Sequence, residues 1–285
     1  MSRRTRIPGP IVRTQTLGNS RERVLPGVTP WRSVDVNDGN WTLYDPNSTI
    51  VSATTGATGM RLVWDKNETA HRFTNSTFQA GRWHTKLKHP NGRDLTWGDY
   101  FNVEILTDLT SMNANTPSDD QSGITFGLAG LDITNSVSIS NWVGGAHYFK
   151  GTENERLRTY VGGKDGWNNN ANVQTRGVLI RIAPPIDDDD TGDTNPRTLR
   201  VSGTMLDTNK DVVQSDGIIT PATRTTEWVS SENVYLFLSP NWVTNISDVS
   251  GMDNADSTWK MWYRVTITRD GLNPQYLPGG GVSGL

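Results

Sequence analysis

The sequence predicts an all-β protein folded as an antiparallel sandwich. Three observations support this: short segments alternate apolar and polar residues with a period of two, clusters of Asn, Asp and Gly separate them, and no long apolar stripe repeats with the 3.6-residue period of a helix. The length of 285 residues suits one large sandwich domain. We therefore expect a body of many short strands joined by tight turns.

Three parts are predicted along the chain: an extended basic assembly arm over residues 1–30, a sandwich body over 31–270 and a short Gly-rich C-terminal tail over 271–285. Four prolines in the arm fix the backbone and favour an extended conformation. Residues 1–32 carry seven of the 27 basic residues and one of the 30 acidic residues, although the whole chain has a net charge of −3. This asymmetry predicts an arm that binds an acidic surface, with a solvated terminus as the alternative. The expected contact residues are Arg3, Arg4, Arg6 and Arg13.

Strands are predicted in the body wherever period-two alternation or a short apolar run is bounded by turn residues. In chain order they are Met60–Trp64, Tyr100–Leu106, Ile124–Leu131, Val178–Ile182, Leu199–Met205, Val234–Leu238 and Trp259–Ile267. The last one alternates most clearly and reads as a half-buried strand. Val234–Leu238 is apolar on both faces, which is typical of a central strand covered on both sides. Turns are expected at residues 38–40, 91–92, 162–166 and 207–211, where Asn, Asp and Gly tolerate the positive φ of hairpin turns.

Several classes of function are disfavoured by what the sequence lacks. The chain has no Cys, which excludes disulfides, thiolate catalysis and thiolate metal sites. It has no apolar run of about 18 residues, so no membrane partner is expected. The acidic body lacks the basic, aromatic-interleaved stripe of a single-strand binder, and seven arginines make a weak genome anchor, so nucleic acid is not the expected partner. A coat protein whose arm reaches the genome is a weaker alternative.

The body resembles the concanavalin A-like (laminin G/legume-lectin type) jelly roll, through the segments 124–131, 157–163, 177–182 and 259–269. The whole layout also resembles tailed-phage virion proteins, in which a β-sandwich is flanked by an extended arm that laces onto neighbouring subunits. These resemblances imply a jelly-roll sandwich located in the virion. They also imply roles in capsid decoration, tail assembly or host-surface contact.

The predicted function is therefore a non-enzymatic virion structural protein, either a capsid decoration or cement protein or a tail accessory. Its partners would be other virion proteins, as a homo-oligomer or with a capsid or tail subunit bound through the arm and the sandwich surface. The alternative is a carbohydrate-binding, lectin-like module that contacts host glycans. A divergent glycan hydrolase is a third hypothesis.

No catalytic residue is predicted. Retaining glycosidases on the concanavalin-like fold carry Glu-x-Asp-x-x-Glu on one strand, which sets two carboxylates on one face. None of the seven Glu residues lies in that pattern, and Glu153 and Glu155 read as part of an exposed loop. The four histidines show no metal or triad spacing and are expected at the surface or in turns. They are His71, His84, His89 and His147.

No cofactor is expected, although two acidic segments are weak calcium candidates. Asp187 and Asp189 begin a run that resembles a calcium loop, but Thr198 stands where the bidentate Glu belongs. Asp207, Asn209 and Asp211 also place oxygen ligands at alternate positions. A solvated loop for the first segment and a tight turn for the second are the favoured interpretations.

Four of the 11 tryptophans lie near polar, Asn- and Gly-rich segments, where an indole could stack on the apolar face of a sugar while neighbouring amides bind its hydroxyls. The other interpretation is that these rings fill the core or an interface. The candidates for glycan contact are Trp97, Trp142, Trp167 and Trp242.

Overall fold

The computed structural model describes residues 29–64, 81–99, 101–113, 121–136, 142–150, 154–161, 164–170, 177–186, 198–206, 212–215, 231–243 and 255–267. The predicted arm up to residue 28, with Arg3, Arg4, Arg6 and Arg13, and the tail from residue 271 lie outside these ranges. The turn residues of both calcium candidates, Asp187, Asp189, Asp207, Asn209 and Asp211, lie outside them as well. Within the described part of the chain, no helix is long and apolar enough to cross a membrane.

The described strands form two antiparallel sheets. The larger sheet contains β1 (Arg32–Ser33), β3 (Ile50–Gly56), β4 (Gly59–Trp64), β6 (Phe101–Asn113), β11 (Gly177–Ile186), β12 (Thr198–Leu206), β13 (Val212–Ser215) and β15 (Ala255–Ile267). The smaller sheet contains β2 (Thr42–Tyr44), β5 (Arg82–Lys86), β7 (Gln121–Ala129), β8 (Trp142–Lys150), β9 (Asn154–Val161), β10 (Lys164–Asn170) and β14 (Tyr235–Val243).

The strand order shows how the chain passes between the sheets. The larger sheet runs β13-β12-β11-β6-β15-β4-β3, with β1 paired to β15, and the smaller one runs β10-β9-β8-β7-β14-β5-β2. Consecutive strands β4, β5, β6 and β7 therefore alternate between sheets, and β14 returns to the smaller sheet before β15 closes the larger one. This arrangement confirms the predicted antiparallel jelly-roll sandwich.

All seven predicted strands are present, with different ends. The alternation of residues 259–267 is confirmed, because Trp259, Met261 and Val265 are buried while Lys260 and Arg264 are only partly covered. The prediction that a strand continues to Leu131 is wrong. The strand ends at Ala129, and Leu131 begins a 3-10 turn that runs to Thr134.

The main core lies between the two sheets. Strand alternation directs one face of each sheet inward, so that Leu62, Ile105 and Met261 of the larger sheet pack in one cluster with residues of the smaller sheet. Trp64, Trp83, Trp97 and Trp259 are the largest apolar side chains of that cluster, and each is at least 96% buried. Tryptophan therefore supplies much of the apolar volume of the sandwich.

A second, smaller cluster lies on the outer face of the smaller sheet. Val234, Leu236 and Leu238 point into the main core, while Tyr235 and Phe237 point the other way. The members of this outer cluster are Ala129, Ile133, Trp142, Ala146, Tyr235 and Phe237. The prediction that Val234–Leu238 is covered on both faces is thus confirmed, and Ile133 of the 3-10 turn contributes to the outer cover.

β7 and β8 approach each other closely where Gly127 pairs with Gly144. A β-carbon added to Gly127 would lie 2.1 Å from the carbonyl oxygen of Val143, and one added to Gly144 would lie 2.1 Å from that of Phe126. Both obstacles are backbone atoms, which cannot rotate away. Glycine is therefore required at this crossing because there is no room for a side chain.

Gly127→Ala is expected to lower the free energy of unfolding by about 2 kcal/mol or more, because the added methyl group forces two paired strands apart. Gly56→Ala in β3 is the matched control, since a β-carbon there meets nothing within 4 Å. The control should change the stability by less than about 0.5 kcal/mol. Urea denaturation of both variants measures the difference, and similar losses in the two would contradict the steric explanation.

Candidate functional site

A pocket of about 360 Å³ opens on the outer face of the smaller sheet, at the end formed by β2, β5 and β14. Thr42 pairs with His84 across β2 and β5, and Tyr235 pairs with Lys86 across β14 and β5. This register places polar side chains of three strands side by side. The pocket is lined by Asn40, Thr42, His84, Thr85, Lys86, Lys88, Thr134 and Tyr235.

His84 is the most unusual group in the pocket. Its side chain is 94% buried and packs edge-on against Tyr235, with 5.9 Å between the ring centroids. Neither ring nitrogen has a hydrogen-bond partner. Burial, and secondarily the charge of Arg82, lowers the pKa of His84 to about 4, so at neutral pH the imidazole presents one donor and one acceptor. A buried polar group without a partner is costly. Both ring nitrogens are closed to solvent, although the residue lines the pocket.

Arg82, two residues before His84 on β5, holds the segment 131–136 against the sheet. Its Nε donates to the carbonyl oxygen of Ile133 at 2.7 Å, and its Nη2 donates to those of Asp132 at 3.4 Å and Ser136 at 2.5 Å. The guanidinium also lies over the ring of Tyr44 at 4.5 Å. Burial lowers the pKa of Arg82 to about 10, which leaves it charged at neutral pH. This clamp fixes the segment that carries Thr134 to the pocket wall.

Lys86 and Lys88 form the basic side of the pocket. Lys86 Nζ lies 3.3 Å from Asp94 Oδ2, and Lys88 Nζ pairs with Asp94 Oδ1. The hydrogen bond from Lys88, with that from Lys86, lowers the pKa of Asp94 below its ordinary value. One carboxylate therefore holds two ammonium groups close together. Both lysine side chains are nearly half exposed, so they remain available to a ligand.

Two further carboxylates lie near Gly130, one of them, Asp132, in the 3-10 turn itself. A β-carbon built on Gly130 would lie 3.3 Å from Glu232 Oε2 and 3.8 Å from Asp132 Oδ1, so both groups approach the same point. Burial raises the pKa of Asp132 to about 6, against the opposing effect of the Arg82 charge. Asp132 thus balances part of the Arg82 charge inside the wall of the pocket. Within the described ranges, no three His, Cys, Asp or Glu residues are grouped to hold a metal ion.

The structure corrects the predicted glycan contact for two of the four tryptophans. Trp97 is fully buried and packs near Phe101, with 6.1 Å between the ring centroids, and Trp142 packs edge-on against Phe237 at 5.5 Å. The prediction is wrong for both, because each ring is buried in a hydrophobic cluster. Trp167 pairs with Thr159 between β10 and β9, and Trp242 pairs with Ser122 between β14 and β7. Their side chains lie outside the described part, so glycan contact there stays a prediction.

The expectation of surface or turn histidines is wrong for His84 and His147. His147 faces the main core, where its Nδ1 lies 3.0 Å from the Thr107 hydroxyl and its ring packs edge-on against Trp259 at 5.0 Å. A hydroxyl partner and an aromatic neighbour make that burial tolerable. His89 lies in a turn, as expected, where its Nδ1 accepts the backbone N–H of Asn91 at 3.2 Å.

The sequence analysis missed the pocket residues. The signal was present, since Arg82, His84 and Lys86 alternate with Trp83 and Thr85 in a strand that ends before the buried Leu87. Such alternation places three basic side chains on one face. What the sequence did not contain was the pairing of β5 with β14 and the return of the segment 131–136 over the same face.

Comparisons with known proteins were made by sequence and by structure. No protein-family model matches the chain, and no curated protein sequence matches it. An alginate lyase from Pseudomonas aeruginosa aligns with a TM-score of 0.40 and 12% identity, over 76% of this chain and 86% of that one. Peanut lectin with a nine-residue peptide aligns with a TM-score of 0.38 and 12% identity, over 81% and 98%. Lectin II from Ulex europaeus aligns with a TM-score of 0.37 and 13% identity, over 80% and 98%.

These solved structures are β-sandwich proteins of both enzymatic and lectin type. At such scores and identities the likenesses support no argument about ligand or activity. None of these three structures indicates a phage origin. What can be argued about function therefore rests on the pocket itself.

His84→Phe is expected to raise the free energy of unfolding by about 1 kcal/mol at pH 7, because it removes two buried ring nitrogens without partners and keeps the aromatic contact with Tyr235. Guanidinium denaturation of the variant and the wild type measures the change. A loss of stability of the same size would show that the two nitrogens are satisfied in solution.

Asp132→Asn is expected to gain stability relative to the wild type as the pH rises. The pKa of Asp132 in the folded state, about 6, lies above the ordinary value of 3.8. The folded state therefore binds more protons in this window, and the wild type loses stability as the pH rises from 3.8 to 6. Denaturation curves at about pH 4 and about pH 7 should show the larger advantage of the variant at the higher pH. An advantage independent of pH would contradict the raised pKa.

Proposed function

We propose that this protein is a non-enzymatic carbohydrate-binding jelly-roll domain that takes a saccharide in the pocket of His84 and Tyr235. The observation that carries the proposal is the buried imidazole of His84, which lines an open pocket with both ring nitrogens unpaired. Because both nitrogens are closed to solvent in the free protein, a small rotation of the ring on binding would expose them. A ligand rich in hydroxyl groups would then supply the missing donor and acceptor. The cost of burying the free imidazole would then be offset on binding.

The rest of the lining has the same chemistry. Thr42, Thr134 and Asn40 offer hydroxyl and amide groups that donate and accept at short spacing. Tyr235 also lines the pocket, but its ring is largely buried in the outer cluster, so polar groups would supply most of the contact with a sugar. A volume of about 360 Å³ falls within the range of small-ligand sites. An apolar ligand would leave most of these polar groups without partners.

The proposed function is ligand binding without a reaction catalysed in the pocket. A general base works best with a pKa near the operating pH, whereas the pKa of His84 is lowered to about 4. The lysines beside it are paired with Asp94. The described side chains that line the pocket supply hydrogen bonds and charge, and among them stands no carboxylate that could orient the imidazole.

The finer prediction of a virion structural role rests on the sequence alone. It depends on the contrast between the basic residues 1–32 and the acidic remainder, and residues 1–28 lie outside the described part. Membership of a virion and binding of a glycan are compatible, since a surface domain of a virion could contact a host glycan. The virion role stays a prediction.

The binding proposal is tested on an array of neutral and acidic oligosaccharides with the wild type, His84→Phe and the matched control His89→Phe. The wild type and the control should bind the same saccharides, because His89 lies in a turn and does not line the pocket. His84→Phe should bind about tenfold more weakly, because it leaves ligand hydroxyls unpaired. Binding unaffected by His84→Phe would place any glycan site elsewhere.

A further inference from the structure

We propose that the pocket selects a saccharide that carries an anionic group, a carboxylate or a sulfate ester, which Lys86 and Lys88 bind together. This inference deepens the proposed function and rests on it. It assigns the two sides of the pocket different tasks. The His84 side binds hydroxyl groups, and the lysine side distinguishes an acidic sugar from a neutral one.

The position of the two ammonium groups supports this assignment. Both contact the same carboxylate, that of Asp94, through different oxygen atoms. Each ammonium has three donors, and the contact with Asp94 accounts for one of them. Two ammonium groups held by one carboxylate keep a net positive charge, so an incoming anion can bind both without displacing Asp94.

The spacing along β5 also fits a single sugar ring. His84 and Lys86 are two residues apart on one strand, which separates them by about 7 Å on the same face. A sugar ring between them would place a ring hydroxyl at the imidazole and an exocyclic acid group at the ammonium. Tyr235 pairs with Lys86 across β14 and β5, so the largely buried tyrosine lies beside that position.

The charged residues near the pocket also favour an anionic ligand. After burial, the charge of Arg82 is the second cause that lowers the pKa of His84. The Arg82 guanidinium donates hydrogen bonds to backbone carbonyls of the segment 131–136. The described lining side chains include two lysines and no Asp or Glu. Asp132, within the 3-10 turn, and Glu232 approach Gly130 and do not line the pocket. A neutral sugar could accept hydrogen bonds from the ammonium groups but would lack the charge–charge attraction that an anionic sugar gains.

The opposing explanation is that both lysines only stabilise the turn through Asp94. Lys88 and Asp94 form a backbone bridge, so their pairing has a structural use. That explanation predicts the same affinity for charged and uncharged forms of one sugar. The two explanations are therefore separated by a comparison of ligands that differ in charge alone.

The experiment follows the imidazole resonances of the isotope-labelled full-length protein during titration with monosaccharides. The chain has four histidines, and His84→Phe identifies the resonances of His84. For the galacto, gluco and manno rings, the probes are the free uronate, its methyl ester, the neutral hexose and the hexose 6-sulfate. Sodium sulfate serves as the control for a simple anion.

We expect the uronates to shift the His84 resonances at concentrations about fivefold lower than those needed for their methyl esters or for the neutral hexoses. The difference is expected because only the uronates make charge contacts with the two partly exposed lysines. The hexose sulfates show whether a sulfate ester serves as well as a carboxylate. Raising the salt from about 50 to about 500 mM NaCl should remove most of the difference, because exposed charges are screened. The double variant Lys86→Gln and Lys88→Gln should bind the uronate and its ester equally. Lys260→Gln on the larger sheet is the matched control and should retain the preference.

Each other outcome has a distinct meaning. Equal affinity of the wild type for uronates and esters would overturn the acidic selection and leave the proposed carbohydrate binding intact. Equal shifts with sodium sulfate and with uronates would overturn the saccharide part in favour of a simple anion site. If no sugar of any of the three ring types shifted the His84 resonances, the proposed selection of acidic sugars and the proposed saccharide binding in the pocket would both be wrong.

Discussion

The interaction on which the outer face of the smaller sheet depends is the clamp between Arg82 and the segment 131–136. β14 is apolar on both faces, so Tyr235 and Phe237 would meet solvent without a cover. The guanidinium binds three carbonyl oxygens of that segment, and Tyr44 donates a fourth hydrogen bond, at 2.9 Å, to the carbonyl of Asn135. These hydrogen bonds position Ile133 so that it packs in the outer cluster. A charged group thus stabilises the burial of apolar side chains, because its planar guanidinium can donate to several carbonyl oxygens of one turn.

The same clamp explains why a pocket exists beside the outer cluster. Ile133 packs in the outer cluster, and Tyr44 of β2 and Arg82 of β5 hold the segment 131–136 at one end of these two strands. A polar recess bounded by Thr134 remains beside Thr42 and His84. Desolvation then shifts each buried ionisable group towards its neutral form: the pKa values of Arg82 and His84 are lowered and that of Asp132 is raised. Local burial, more than ion pairing, sets the electrostatics of the recess.

A comparison of the two buried histidines shows why one of them is a candidate site and the other is not. His147 lies in the main core, where its Nδ1 has a hydroxyl partner on β6 and its ring packs against an indole on β15, so the sandwich encloses it. His84 is almost as buried, but its ring nitrogens lack partners and the residue lines the pocket. Such incomplete satisfaction is tolerated in native proteins where it has a use. The two residues are of the same type and are similarly buried. Only their surroundings distinguish a structural histidine from a candidate binding residue.

The sequence by itself determined the class of fold. Period-two alternation placed Trp259–Ile267 in a half-buried strand, and the double-sided apolar run of Val234–Leu238 identified a central strand, because these patterns follow from local backbone geometry. The tertiary structure decided the site. Trp97 and Trp142 had polar neighbours in sequence yet lie in hydrophobic clusters, while Arg82, His84 and Lys86 met Tyr235 and Thr134 through pairings between distant segments. Alternation fixes which side chains share a face, but only the order of strands in the sheet fixes what lies opposite that face.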